Sequence, residues 1–557
     1  MSLESFGSVA RWLRAKGFKQ VRAQGADAKS FRGELTCRGQ TVRVRIEISD
    51  CDFVVLPRIF LESVPDVLKG FSPHVLSSGD LCYYAKGMVV LNRFKPAEAV
   101  ARCLLRAQQT LEDLAGDGKF RFGVQDEFGF YGREGAVYTG NSDAQRKKAR
   151  LAYVEGNQRK FYILTQNGDE PEWLARAVSG AIKPESEVPV WLIETEQYPS
   201  VDAEGGLPRT IKETLDWVKR WDTVSFQRLT SLLETKDYLD FGVVAFVFSS
   251  PIGVFGFLLK LDPLHCKVYK RKPARYRQYL YSKGARTPVS RFYGVDVTPD
   301  FVHTRNIQGS SLLGKKVAVI GCGAIGGYVA HAVVRLGAGV GIGGRLTLID
   351  YDSMQPGNLG RHVLGFPALD LGKADALKEE LCRQFPYARL RALKEDVRNC
   401  HRLFEEDLIV DATGEESLSI ALARTHQHYL HGGGISPLLH VWVAGNGEAA
   451  QALFVDRSKG GCYRCMWVDD SERGMKDRIP LLKNPPTTRF VGCQSVTLFS
   501  VSAAMAAAAL ASDIVIDWLA GDPSPRFRTR TRENANAFRV KNQDLAKLEG
   551  CPACKRT

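Results

Sequence analysis

The stretch that decides the fold of this chain is KVAVIGCGAIG, from Lys316 to Gly326. Its apolar part, Val317–Ile320, predicts a buried strand, and Ala324–Leu336 predicts the helix that follows. Between them, glycines let backbone amides approach a phosphate beside the positive end of a helix: Gly321, Gly323 and Gly326. The next strand, Arg345–Asp350, ends in a carboxylate suited to a ribose hydroxyl. On these residues alone, an enzyme that uses a nicotinamide or a flavin is the default interpretation.

The alternation of strands and helices continues towards the C-terminus. Lys373–Phe385 has the pattern of a helix, and Leu408–Asp411 has that of a strand end. Such alternation is typical of a mostly parallel, doubly wound sheet. We therefore expect a Rossmann-like α/β domain over residues 301–557.

The polar residues after the second strand are more numerous than hydride transfer requires: Asp352, Asn358, Arg361, Lys373 and Asp411. Attack on the α-phosphate of ATP builds negative charge on the phosphoryl group and on pyrophosphate. A site for that reaction needs cations and a metal-binding carboxylate. Arg361 and Lys373 fit the cationic roles, and Asp411 fits the role of an Mg²⁺ ligand. The alternative is that the cations are surface charges and Asp411 caps its strand.

With the glycine loop, the segments IDYD (349–352), NLGR (358–361), GK (372–373) and VDAT (410–413) resemble the adenylation domain of ubiquitin-activating enzymes and the bacterial ThiF and MoeB enzymes. The resemblance covers residues 301–557. It implies that the glycine loop and Asp350 bind ATP and that Asn358 and Arg361 contact its phosphates. It also implies that Lys373 stabilises the α-phosphate and that Asp411 holds Mg²⁺. Arg305 is a candidate for an arginine that this family places before the first strand, where it sometimes serves the partner subunit.

Two Cys-x-x-Cys pairs lie in the same region of the chain: Cys462 with Cys465, and Cys551 with Cys554. Four thiolates from two such pairs suit tetrahedral Zn²⁺. Redox-active dithiols are the alternative, but two pairs in one domain favour a metal, and the adenylation family has the same arrangement. Because a closed four-thiolate site has no open position, we expect it to hold the C-terminus in place rather than to catalyse.

Cys493 is the first of two candidate nucleophiles. It lies in RFVGCQS (489–495), just ahead of an apolar helix predicted over Val496–Leu519. A cysteine at a helix N-terminus can have a lowered pKa. In the adenylation family this segment belongs to the crossover loop, whose cysteine, when present, captures the acyl adenylate as a thioester. A structural cysteine beside the alanine-rich helix is the alternative.

Cys82 is the second candidate nucleophile. It ends the segment HVLSSGDLC (74–82), which lies between a helix predicted over Val9–Lys16, with Ser8 as its cap, and a helix predicted over Pro96–Leu114. The segment resembles that of a ubiquitin-conjugating enzyme, an α+β fold here assigned to residues 1–117. Only His74 matches the usual His-Pro-Asn triplet, which leaves the oxyanion-stabilising group unidentified. A half-buried cysteine in an ordinary loop is the alternative.

Composition and charge exclude several classes of protein. The chain has 76 Lys and Arg against 62 Asp and Glu, a net charge of +14 that is too mild for a nucleic-acid signature. Residues 267–291 hold nine of these cations and no acid. We interpret that segment as a solvated face or a docking surface for an acidic partner, with nucleic-acid contact as the alternative.

One uncharged segment and the N-terminal segment indicate in which cellular compartment the protein is expected. Phe241–Leu259 is uncharged, but its Ser-Ser-Pro-Ile-Gly turn predicts two buried strands rather than a membrane span. No signal peptide is evident at Met1–Lys16, so we expect a cytoplasmic protein with reduced thiols. Seven cysteines are expected to serve in packing: Cys37, Cys51, Cys103, Cys266, Cys322, Cys382 and Cys400.

A conjugating-like module ahead of an activating-like module resembles the bacterial fused ligation enzymes that accompany cyclic-oligonucleotide synthases in CBASS anti-phage operons. Residues 118–300 are a mixed linker domain whose fold the sequence leaves open. The resemblance implies adenylation of a protein C-terminus, thioesters on Cys493 and then Cys82, and transfer to an amine. It also implies a homodimer and a partner that is a cGAS-like synthase. Two other interpretations are a sulfur-carrier-type adenylyltransferase without conjugation and an NAD-dependent oxidoreductase.

Overall fold

The structure is a computed structural model, which describes residues 3–22, 28–63, 74–75, 79–85, 87–116, 135–139, 149–155, 160–165, 181–199, 207–458, 460–472, 474–491, 494–533 and 535–555. The chain divides into two compact units, one within residues 1–296 and one that holds residues 297–557. The domain limits at residues 117 and 300 stay predictions.

The first unit begins with a four-stranded antiparallel sheet and two helices that share its core. Its elements are α1 (Leu3–Ala15), β1 (Lys19–Val21), β2 (Lys29–Cys37), β3 (Gln40–Ile48), β4 (Arg58–Leu61) and α2 (Pro96–Leu114). Strand β3 alternates along its length, so Val42, Val44 and Ile46 all face the core. The expectation of an α+β fold is confirmed. Ser8 lies inside α1 rather than at its start, because the amphipathic pattern extends back to Leu3.

A closed seven-stranded barrel occupies the rest of the first unit. Its elements are β5 (Gly135–Thr139), β6 (Ala149–Glu155), β7 (Lys160–Thr165), β8 (Ala181–Glu194), α3 (Ile211–Trp221), α4 (Thr223–Leu232), β9 (Val243–Ser250), β10 (Gly253–Lys260), α5 (Pro263–Tyr269), α6 (Pro273–Tyr281) and β11 (Val289–Asp296). The uncharged segment forms the hairpin β9–β10, which confirms the prediction of two strands. It buries Phe246, Phe248, Phe255 and Phe257 beside Trp217, and each buried Phe stabilises the fold by about 1.5–3 kcal/mol.

The second unit is built on a seven-stranded sheet in the order β14-β13-β12-β15-β16-β17-β22. Its elements are α7 (Pro299–Thr304), β12 (Lys316–Ile320), α8 (Ala324–Arg335), β13 (Arg345–Ile349), α9 (Lys373–Gln384), β14 (Leu390–Leu393), β15 (Leu408–Asp411), α10 (Glu416–His431), β16 (Leu438–Ala444), β17 (Ala449–Val455), β18 (Trp467–Asp470), β19 (Gly474–Asp477), β20 (Thr488–Val491), β21 (Gln494–Thr497), α11 (Val501–Leu519) and β22 (Phe527–Thr531). The first five strands of that order pair in parallel, whereas β17 and β22 pair antiparallel at one edge. The predicted mostly parallel, doubly wound sheet is confirmed.

Both faces of the central strand are buried, which is the physical meaning of the apolar run in the sequence. Val317 and Val319 of β12 lie in one core cluster with α8 and α11, and Ala318 and Ile320 lie in another with α10. Among the described helices, α11 has the length and apolar composition of a membrane span. One face of α11 nevertheless lies in the first of these clusters.

Candidate active site

A cleft of about 1240 Å³ opens at the carboxyl ends of the parallel strands, where α/β sheets usually bind ligands. Most of the residues predicted for the nucleotide line this cleft: Gly321, Gly323, Asp350, Asp352, Asn358, Arg361 and Lys373. Gly326 and Asp411 do not line it. The structure therefore brings together, from four separate segments, residues that the sequence only suggested were neighbours.

The glycine loop is tight on one side and open on the other. Gly321 has a φ of +79°, and a Cβ there would lie 2.9 Å from the Thr413 Cα. A Cβ on Gly326 would lie 1.6 Å from the carbonyl oxygen of Gly321, so the first turn of α8 packs directly on the loop. Gly323, the N-cap of α8, faces open space. The loop thus leaves room for a phosphate at the positive end of a helix.

Asp350 shapes the loop as well as facing the cleft. One of its carboxylate oxygens accepts the Cys322 N–H at 2.7 Å, and the other accepts the Asp352 N–H at 2.8 Å. Asn358 is tied in a similar way, since its Oδ1 accepts the Gln355 N–H at 3.0 Å. The polar groups at this end of the cleft are therefore held in place by backbone contacts. Their roles towards ribose and phosphate stay predictions.

Arg361 is a cation that has no counter-ion in the described part of the chain. Its guanidinium lies 4.6 Å from the centre of the Phe499 ring, and it forms no ion pair with any described residue. The Nε is buried without a hydrogen-bond partner in the described part of the chain. Burial lowers the pKa of Arg361 because the charged form loses hydration. An anionic group of a ligand would supply the missing partner.

Lys373 is the second cation of the cleft. It is 7% exposed at the start of α9 and forms an ion pair with Asp352. Desolvation raises the pKa of Asp352, but the hydrogen bond from Lys373 outweighs it with help from the Ser353 N–H, and the net pKa is lowered. Because half of the Asp352 side chain remains exposed, this carboxylate can leave the ammonium to a phosphate at little cost.

Asp411 lies at the end of β15, 1% exposed and surrounded by donors. Its Oδ1 accepts the Thr413 hydroxyl at 2.7 Å, and its Oδ2 accepts Ser419 at 2.6 Å and His440 Nδ1 at 2.8 Å. Desolvation raises the pKa of Asp411, but these hydrogen bonds lower it overall. The metal-ligand role of Asp411 stays a prediction. The structure adds a condition to that role, since the carboxylate must first release a protein donor.

The four cysteines of the two Cys-x-x-Cys pairs meet in one cluster, with all sulfurs within 4.8 Å of one another. Four of the six Sγ–Sγ distances lie between 3.4 Å, for Cys462–Cys554, and 3.9 Å, for Cys462–Cys465 and Cys462–Cys551. A tetrahedral Zn²⁺ with bonds of about 2.3 Å requires sulfurs about 3.8 Å apart. Disulfide bonds need about 2.05 Å. The donor set and its spacing therefore fit zinc.

Cys493 lies outside the described residues. The segments on either side of it form a two-stranded hairpin, β20 with β21, and α11 begins only at Val501. The prediction of a helix that begins at Val496 is wrong, because residues 494–497 pair as a strand. The helix-terminus argument for a lowered thiol pKa therefore does not apply to Cys493.

Cys82 is the one exposed cysteine among those the structure describes. Its N–H donates to the His74 carbonyl at 2.7 Å, next to the bridge between Val75 and Leu81. Gly79 of the same segment has a φ of +80°, and a Cβ there would lie 2.7 Å from the Leu61 carbonyl oxygen. The backbone thus presents the thiol at the surface. The half-buried loop cysteine considered from the sequence is not what the structure shows.

The structure also gives the burial of the seven predicted packing cysteines and the position of Arg305. Five of the seven packing cysteines are buried, and Cys382 and Cys400 are half-buried. Arg305 is exposed, packs on the ring of Phe301, and does not line the cleft. Sequence reasoning missed the apolar wall of the cleft, which includes Trp442, Leu482 and Phe499. No local motif marks these residues, because three separate segments supply them.

Two family models match the chain, the ThiF family over residues 304–553 and prokaryotic E2 family B over residues 9–136. Fold and site thus define an adenylating enzyme of the ThiF type that carries a conjugating-enzyme-like domain. The ATP-dependent ubiquitin transferase-like protein Cap2 of Pseudomonas aeruginosa is 32% identical over 99% of both chains. Cap2 of Escherichia coli is 24% identical over 96% of this chain and 94% of its own. The chain therefore belongs to the Cap2 family of ATP-dependent ubiquitin transferase-like proteins.

A solved structure of E. coli MccB with MccA-N7isoASN covers 46% of this chain and 69% of its own at 17% identity, with a low TM-score of 0.33. Membership of the Cap2 family confirms the predicted fused activating and conjugating architecture. It also confirms the prediction of an ATP-dependent enzyme for ubiquitin-like conjugation, in preference to an oxidoreductase.

Proposed function

We propose that the cleft adenylates the C-terminal carboxylate of a protein substrate. A carboxylate oxygen attacks the α-phosphorus of ATP, the new P–O bond forms, and pyrophosphate leaves. Arg361 and Lys373 stabilise the charge that develops on the phosphates, because both cations line the cleft, Arg361 half-buried and Lys373 buried. The observation that carries this proposal is the Arg361 guanidinium, which forms no ion pair with the described residues and lines the same cleft as the open side of the glycine loop.

Mg²⁺ would find oxygen ligands in the segment around Thr413, which packs against the glycine loop at Gly321. The residues that would hold it are Asp411 and Glu415, which flank the Thr413 turn and offer the oxygen ligands that this ion prefers. Glu415 lines the cleft, and its carboxylate forms no ion pair with the described residues. When bound, Mg²⁺ neutralises phosphate charge. Ser419 and His440 hold the Asp411 carboxylate at the end of β15, and one protein donor would have to release it for the ion to bind.

The activated acyl group then passes between two thiols. The Cys493 thiolate attacks the acyl adenylate and releases AMP, and the Cys82 thiolate attacks that thioester and releases Cys493. An amine, on a lysine for example, finally attacks the Cys82 thioester, so that an amide bond forms and the thiolate leaves. The exposure of Cys82 supports the last two steps, since both require access from outside the domain.

The further roles follow from the family and the donor sets. We infer a cGAS-like cyclic-oligonucleotide synthase as the protein substrate, in anti-phage defence of the CBASS type, and a cytoplasmic homodimer as the working form. We infer that Zn²⁺ is held by Cys462, Cys465, Cys551 and Cys554. It would fix the C-terminal segment onto the core that contains Leu453 and Phe527.

The experiment combines ATP–pyrophosphate exchange with non-reducing gels, using the full chain, ATP and the candidate synthase. We expect exchange in the wild type and in Cys82→Ala, and a thiol-sensitive adduct that Cys82→Ala confines to Cys493. An adduct pattern that Cys82→Ala leaves unchanged would support the sulfur-carrier-type adenylyltransferase instead. Absence of exchange with the synthase would refute the proposed substrate.

A further inference from the structure

The basic segment of the sequence forms two consecutive helices at the surface of the barrel, α5 and α6, joined by a short turn. We call the exposed side of these helices and of the turn between them the cationic helix surface. Its members are Leu264, Lys267, Val268, Arg271, Lys272 and Arg275. No residue of this surface contributes to the adenylation cleft or to the segment around Cys82, so the proposed chemistry leaves it without a function.

Within the described ranges, the cations of this surface lack counter-ions. Lys270 and Arg277, from the same segment, are neutralised by Asp240 and Glu234 respectively. In contrast, Lys267, Arg271, Lys272 and Arg275 are exposed and form no ion pair with the described residues. Four like charges without a described counter-ion, two on the helices and two in the turn between them, create a local positive potential that attracts an anionic partner.

Two exposed aliphatic side chains favour an acidic protein segment over nucleic acid as the anionic partner. Leu264 and Val268 are each 72% exposed and stand one helical turn apart on α5, among the cations. Exposed aliphatic pairs gain free energy only when apolar surface covers them. Nucleic-acid backbones offer phosphate but little aliphatic surface, whereas an amphipathic protein segment offers both carboxylates and aliphatic groups.

The packing of the aromatic rings in this segment also disfavours nucleic acid as the partner. His265 and Tyr279 stack at 4.5 Å between centroids, Tyr276 and Tyr279 at 5.7 Å, and Tyr276 is buried. Because these rings pack on one another, they are not free platforms for bases, which single-stranded nucleic-acid binding requires. They instead make the two helices a rigid support for the charges above them.

We propose that the cationic helix surface docks an acidic, amphipathic segment of a partner protein. Carboxylates of that segment pair with Lys267, Arg271, Lys272 and Arg275, and its aliphatic side chains cover Leu264 and Val268. The proposal assigns the surface a binding role that is separate from the adenylation and thioester steps.

The test uses the full chain and a fluorescein-labelled helical peptide that carries glutamates and two leucines one turn apart on one face. Fluorescence anisotropy at about 50 and about 300 mM salt measures affinity. We expect salt-sensitive binding that weakens about tenfold or more in the variant Lys267→Glu, Arg271→Glu, Lys272→Glu, Arg275→Glu. The double variant Leu264→Ser, Val268→Ser retains every charge and should weaken binding several-fold.

A matched control reverses four other exposed cations of the same unit: Lys16, Lys19, Arg22 and Arg43. Because it changes the net charge equally, it should bind the peptide within about threefold of the wild type. Each variant is first shown to retain ATP–pyrophosphate exchange. No binding by the wild type, or equal weakening in the control, would overturn the proposal. Tighter binding of duplex DNA that is insensitive to Leu264→Ser, Val268→Ser would assign the surface to nucleic acid.

Discussion

Lys373→Met isolates the charge of one cation from its packing. The Lys373 side chain is 9% exposed, and Met retains most of the buried aliphatic stem. The Asp352 side chain, which loses its partner, is 52% exposed and stays hydrated. The lost ion pair therefore costs at most about 1 kcal/mol. For a unit of this size that corresponds to a fall in melting temperature of about 2–4 °C.

The expected effect on the reaction is much larger. Removal of one preorganised donor that faces a developing oxyanion typically costs about 10²–10³ in rate, or about 2.7–4 kcal/mol. Arg361 and the glycine loop remain in the cleft and continue to bind the phosphates. We therefore expect Lys373→Met to lower the rate of ATP–pyrophosphate exchange about 10²–10³-fold, with a much smaller change in the KM for ATP.

The assay is exchange of radiolabelled pyrophosphate, with thermal melting measured on the same preparations. Lys378→Met is the matched control, because Lys378 is a half-buried lysine on the same helix that does not line the cleft. If Lys373→Met exchanges within about threefold of the control, a gap of less than about 1 kcal/mol, the electrostatic role of Lys373 is refuted.

Three further predictions concern the cysteine segment, the buried carboxylate and the thiolate cluster. Gly79→Ala should impair thioester formation on Cys82, because its Cβ would meet the Leu61 carbonyl oxygen at 2.7 Å. Gly87 has a similar positive φ but open space around it, so Gly87→Ala is the control and should form the Cys82 thioester normally, as measured on non-reducing gels. The pKa of Asp411 is lowered in the folded protein, so its stabilisation is present above the unfolded value of about 3.9 and is lost as the pH falls through the folded value. In Asp411→Asn the melting temperature should therefore fall less steeply than in the wild type as the pH is lowered into the acid range. An equally steep fall in both proteins would contradict this. Chelation should release zinc to a chromophoric indicator and lower the melting temperature of the second unit, and Cys551→Ser should already contain less zinc as purified.

The strands and helices around the nucleotide site could be predicted because their signals are local. The apolar run of β12 predicts a buried strand, and the glycines after it predict a tight loop. The elements α2 and β15 begin and end at the predicted residues. Boundaries failed where a local pattern was compatible with two structures. Val496, Leu498 and Phe499 extend the apolar pattern of α11 towards its N-terminus, but residues 494–497 instead complete a hairpin with 488–491.

The environment of the site residues depended on contacts across the chain. In the sequence, Asp411 is a carboxylate at a strand end. In the structure, His440 of the neighbouring strand and Ser419 of the following helix occupy its oxygens. Arg361 was predicted to be a cation of the site, but only the structure shows that it forms no ion pair with the described residues.

By itself the sequence determined the chemistry of the chain: a glycine loop at a strand end, two cations, four paired thiols and a cysteine after Gly-x-x. These signals can be recognised in the sequence because backbone conformation and the spacing of metal ligands constrain residues that are only a few positions apart. Only the tertiary structure decided the closed barrel, the apolar wall of the cleft and which cations of residues 267–275 lack a counter-ion among the described residues. Those features depend on which distant segments come into contact, and strand pairing and counter-ions are properties of such contacts.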